Sequence, residues 1–280
     1  MIEFILDPLI ESLQITAFVF LMMVGIDFFN VKVKGRLQKI TGNVGLKQYI
    51  ITNFLGATPG CFGSFINVSL YMHGTVSFGA VAGSMIATSG DEAFVMIAQL
   101  GWVAIFLFVL LFFIGIGGSY LADFIVRKFD LKVCVNCKMQ KFHEPLEHKK
   151  GHYLKDHIWN HIFKNHIRSI FLWTFGALLV VHLLEHFLDL EQITQNYMIY
   201  ILIMSALIGL IPDSGPHLIF VSLFATGFVP FSVLLTSSIV QDGHGLLPLF
   251  SFSLKDTLYI KIFNLIIGLI LGVSLFYIGF

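Results

Sequence analysis

The sequence predicts an all-α membrane protein, an inverted repeat of two five-segment units with re-entrant or broken helices. Three observations predict it: the hydropathy of the chain, the placement of its basic residues, and a self-similarity at an interval of 153 residues. Of 280 residues, 56% are hydrophobic and only 12% are charged, with a mean hydropathy of +0.85. A soluble domain carries about 25% charged residues, so the composition points to many membrane crossings and away from a large water-soluble core. The first residues hold Glu3, Asp7 and Glu11 and no basic residue. They lack the positive start of a signal peptide, so the first apolar run is expected to stay as a transmembrane helix.

All 17 Lys and Arg fall in the windows 32–47, 127–168 and 255–261. An excess of Lys and Arg marks cytoplasmic loops. These three loops are therefore expected on the cytoplasmic face, with both termini outside. An even number of crossings then joins each window to the next.

The elements follow in order. A first span is expected over Leu9 to Val31, then a basic linker. Two apolar pieces, 48–58 and 61–73, are split by Thr58, Pro59 and Gly60. Each is too short to cross about 30 Å of hydrocarbon, and a re-entrant hairpin fits them. Ser77 to Leu100 reads as a span broken at Ser89 and Gly90, and Gly101 to Arg127 as a full span. The first unit is thus 1–126, and 127–168 is a linker. The second unit, 169–280, repeats the plan: a span over 169–190, short pieces over Tyr197 to Ile211 and Leu218 to Val229, a span over Phe231 to Phe250 broken at Asp242 to Gly245, and a last span over Leu258 to Phe280.

A shift of 153 residues places Gly56, Pro59, Ile66, Val68, Ser69, Leu70, Gly74, Val76, Phe78, Ser84, Ile86 and Gly90 on identical residues, from Gly209 to Gly243, without a gap. Five segments per unit is an odd number, which gives the halves opposite orientation. Inverted repeats with interrupted helices are a plan of secondary transporters, with the substrate near the membrane midplane where the breaks meet. A break frees backbone groups that are tolerated at that depth only if buried in protein or lining a cavity.

The breaks and their flanks hold Cys61, Asp91, Glu92, Asp213, His217, Asp242 and His244. Charged residues in so apolar a setting are costly and point to function. Oxygen and imidazole donors suit a divalent cation, Mn²⁺ first, with Zn²⁺ or Fe²⁺ as alternatives. The same carboxylates could carry protons, or simply cap the helices that follow. Cys61 could bind a soft species or be an ordinary buried thiol. His182, Glu185 and His186 share one helical face and match an inverted zinc-protease pattern. An ion-path cluster is the preferred reading, an intramembrane metalloenzyme the alternative, and no enzyme activity is expected. In the linker, Cys134 and Cys137 precede His143, His148, His157 and His161, a spacing that can build a zinc site or belong to a solvated loop. No nucleotide-binding loop is present. No cofactor is required, and the expected partners are the metal ion and the bilayer, with a homo-oligomer left open and no nucleic acid.

The blocks from Pro59-Gly60-Cys61 to Ser89-Gly90-Asp91-Glu92-Ala93 and from Pro212-Asp213-Ser214-Gly215-Pro216-His217 to Gln241-Asp242-Gly243-His244 resemble the ten-transmembrane heavy-metal exporters. Members of that family carry labels such as manganese transporter or arsenic efflux protein. The resemblance implies metal or metalloid efflux at a prokaryotic inner membrane. The residues themselves are read as secondary export of a divalent metal against inward proton movement, with arsenical or metalloid efflux as the second reading.

Overall fold

The computed structural model describes residues 44–72, 74–133, 197–212 and 215–280, the backbone of 190–196, and scattered positions within 6–20 and 171–183. Among the described residues the secondary structure is helical. The expectations for His182, Glu185, His186, Asp213 and the linker residues Cys134, Cys137, His143, His148, His157 and His161 concern positions outside this set, as do most of the spans expected over 9–31 and 169–190.

The first half contains α1 (Leu46–Ala57), α2 (Phe62–Met72), α3 (Phe78–Ile86), α4 (Glu92–Leu100) and α5 (Trp102–Lys128). The second contains α6 (Leu190–Gly209), α7 (Leu218–Ala225), α8 (Phe231–Val240), α9 (Leu247–Phe252) and α10 (Leu254–Ile278). Short 3₁₀ turns, Gly215–His217 and Gly243–Leu246, precede α7 and α9. Helix α6 starts earlier than the short piece expected at Tyr197, and Tyr197 itself is a non-helical kink within it (φ −124°, ψ 20°).

Sequence explains most of the boundaries. Ser77 caps α3 by accepting from the Ala80 N–H, and Ser253 caps α10 by accepting from the Asp256 N–H. The cap at Ser253 corrects one expectation. The window 255–261 is not a loop: α10 begins at Leu254, ahead of the expected Leu258, and carries Lys255 and Lys261 as helical residues. Lys261 is only 9% exposed, so it does not belong with the solvated loop charges.

Helices α5 and α10 are long and apolar enough to cross a membrane. Their exposed sides are apolar: Phe106, Phe113 and Phe124 on α5, and Leu258, Ile262, Ile266 and Ile270 at four-residue spacing on α10. Their buried sides hold a few large apolar residues, Leu107 and Leu111 on α5 and Ile260 on α10, among small or polar ones: Gly115, Gly118 and Ser119 on α5 and Lys261, Asn264, Gly268 and Gly272 on α10. This is the distribution expected where lipid, not water, surrounds the helix and small residues allow close packing.

The α3–α5 contact is fixed at one end by Asp123. Its carboxylate accepts from the Tyr49 hydroxyl (2.6 Å), the Ser77 hydroxyl (2.6 Å) and the Gly79 N–H (2.7 Å). One buried side chain thereby joins α1, α3 and α5. Between the halves, the Tyr71 hydroxyl on α2 donates to Asp256 on α10 at 2.9 Å.

Candidate metal site

The site forms where helices stop. Gly90 has φ +58° and Gly243 has φ +51°, the left-handed region that favours glycine. Each turns the chain out of a helix inside the protein. The Gly60 N–H donates to the Gly90 carbonyl at 2.9 Å, which joins the first break to the second. Gln241 Nε2 donates to the Thr88 carbonyl at 3.0 Å, which joins the second to the fourth. Gly245 completes the approach: a Cβ there would lie 2.5 Å from the Cβ of Ser64 on α2, so a larger residue would push the fourth break away.

This convergence gathers Cys61, Asp91 and His244. Their ligand atoms lie within 4.8 Å of one another. Cys61 and Asp91 are buried, at 5% and 4% exposure, while His244 is partly exposed. Cys61 immediately precedes α2, and Asp91 is the N-cap residue of α4. A thiol and a carboxylate are thus placed at the starts of two helices. Asp91 makes no side-chain capping bond. The capping role considered from sequence is not the one this carboxylate performs.

The other candidates sit differently. Glu92 is 2% exposed, and its carboxylate folds back over Gly90, where a Cβ would lie 2.7 Å from Oε2. His217 is buried, and its Nδ1 contacts Ser237 Oγ on α8 at 2.5 Å. Asp242 also makes no capping bond. It is fully buried and ion-paired with Lys261. Lys261 and Ser64 are not among the residues the sequence singles out, while Gln241 and Thr88 belong to the marked stretches without a role of their own. Ser64 Oγ and Thr88 Oγ1 lie 2.6 Å apart, which ties α2 to the second break. The signal for Lys261 was present, since an ionisable residue flanked by Ile260 and Ile262 in an apolar helix is a functional candidate.

A family model described as "Putative, 10TM heavy-metal exporter" matches residues 3–176 and again residues 164–279. The chain belongs to this family. No curated protein and no solved structure matches it. The family is one of multi-pass membrane exporters, transporters rather than enzymes, with a heavy-metal ion as cargo. In this chain a thiol, a carboxylate and an imidazole meet at interrupted helices, and each is a donor type that a metal cation can take.

Proposed function

We propose that this exporter carries a divalent transition-metal ion through a site at the helix breaks, with Cys61, Asp91 and His244 as ligands. The mutual approach of those three ligand atoms carries the reading. A set containing sulfur and imidazole favours a borderline ion such as Zn²⁺ over Mn²⁺, which prefers oxygen-rich octahedral sites. Mn²⁺, expected from the carboxylates alone, becomes the second candidate. Arsenical efflux is less well supported, because Cys61 supplies the cluster's one thiol.

An inverted repeat of two units, 1–126 and 169–280 with the linker between, fits the positions of the elements. Helices α2 and α3 recur 153 residues later as 215–225 and α8. The turns recur as well: the Thr75 N–H donates to the Leu70 carbonyl, and the Phe228 N–H to the Leu223 carbonyl, both at 2.9 Å. Rocking one unit against the other would expose the shared site to each side in turn. We take the metal to leave the cytoplasm against inward proton movement. Flux in vesicles tests the reading. Zn²⁺ movement should depend on an imposed proton gradient and be abolished by Asp91→Asn and by Cys61→Ser in folded protein. Undiminished flux in both variants would remove this site from the transport path.

A further inference from the structure

Lys261 is a full positive charge inside the protein, and the metal site as described does not use it. Its ammonium pairs with Asp242 and lies 3.4 Å from the carbonyl of Gly209, the last residue of α6. Lys261 is 9% exposed and Asp242 is 0% exposed. A carboxylate and a helix-end carbonyl are oxygen donors of the kind a bound cation takes, and here the ammonium takes them. The 153-residue interval sets Phe108 opposite Lys261 and Ser89 opposite Asp242. The first half therefore carries neither charge. Asp242 lies two residues before the ligand His244. Its Oδ2, the neighbouring Gln241 Oε1 and Ser89 Oγ are buried and make no hydrogen bond among the described residues. The carboxylate keeps a free acceptor while the ammonium occupies the other oxygen.

We propose that Lys261 is a resident, tethered cation that holds Asp242 out of the metal's coordination shell and so sets how tightly the exporter grips a dication. The proposal rests on the Cys61–Asp91–His244 reading. With the ammonium in place, Asp242 brings no net charge to the site. Without it, a buried carboxylate two residues from His244 is left unpaired and a repelling charge is gone. Tighter binding follows, and slower release, which an exporter must avoid. Lys261 sets affinity through Asp242 and does not touch the metal.

The test measures Zn²⁺ affinity by titration calorimetry on full-length protein in detergent. Cys134→Ser and Cys137→Ser form the background, so that Cys61 is the one thiol. Lys261→Met should tighten Zn²⁺ binding about tenfold or more, and Asp242→Asn, which leaves the ammonium unneutralised, should weaken it by a similar factor. The double variant should return close to the parent, and Lys261→Arg should keep the parent affinity. Opposite signs for the two single variants are not expected of a purely structural pair, whose loss from either side would act in one direction. Equal signs, or no change, in proteins that elute as folded would overturn the proposal. Cys61→Ser separates the two levels of the argument. If it weakens Zn²⁺ binding about tenfold or more while the Lys261 and Asp242 variants share a sign, only this inference fails. If the parent binds no Zn²⁺, or Cys61→Ser leaves binding intact, both fail.

Discussion

Gln241 Nε2 donates to the carbonyl oxygen of Thr88 at 3.0 Å, and the two residues are separated by the same 153 positions that separate Gly90 from Gly243. Equivalent points of the two halves therefore touch each other directly. The contact lies where helices α3 and α8 both end, and it holds together the breaks that carry Asp91 and His244. The proposed ligands Asp91 and His244, one from each half, flank this junction.

Gln241→Leu removes the donor and leaves the buried Thr88 carbonyl without it. The expected cost is about 1–3 kcal/mol, read as a lower thermal midpoint by scanning fluorimetry. Zn²⁺ affinity should fall with it, because His244 follows Gln241 on the same turn. A variant with unchanged midpoint and affinity would mean that the junction is held elsewhere.

Gly245→Ala places a methyl 2.5 Å from Ser64 Cβ. Overpacking of this kind costs roughly 1–3 kcal/mol. Ser64→Gly removes the opposing Cβ, so the double variant should recover most of the lost thermal stability. It should not recover fully, because Ser64 Oγ also contacts Thr88. A double variant no more stable than Gly245→Ala would show that the contact is not the limiting one.

Asp123→Ala leaves the Tyr49 hydroxyl, the Ser77 hydroxyl and the Gly79 N–H without their shared acceptor. Stability should drop by about 3 kcal/mol or more, since each unmet buried donor costs on the order of 1–3 kcal/mol. The carboxylate is not part of the metal cluster. Protein that remains folded should therefore bind Zn²⁺ with the parent affinity in the same calorimetric assay.

Cys61→Ser exchanges a soft donor for a hard one. Zn²⁺ binding should weaken roughly tenfold or more, about 1.4 kcal/mol for each factor of ten. Mn²⁺ binding should change much less, since Mn²⁺ gains little from sulfur. Competition titrations with both ions read the difference. Equal losses for both would indicate that Cys61 supports the fold of the site without contacting the ion.

The helix breaks were legible in the sequence because glycine, proline and carboxylates interrupt otherwise apolar runs. The interruption at 87–91 and the one at 241–242 fall where Ser89-Gly90 and Asp242-Gly243 announce them. Which polar residues then meet was not legible. Cys61 is as plausible a packing residue as a ligand until α4 and the 3₁₀ turn at Gly243–Leu246 bring Asp91 and His244 against it. Asp242 and His244 are two residues apart, yet their side chains take different partners, and only the tertiary arrangement around α10 decides that. Lys261 was counted with the loop charges because a start at Leu258 would have left it near a helix end. The Ser253 cap moves the start back to Leu254 and carries Lys261 into the protein.

The most direct test of the account is the coordination shell of a bound ion. Zinc X-ray absorption should be recorded on full-length protein carrying Cys134→Ser and Cys137→Ser, so that Cys61 is the remaining thiol. The account expects one sulfur at about 2.3 Å among nitrogen and oxygen neighbours, lost on Cys61→Ser. A shell of nitrogen and oxygen alone would contradict it.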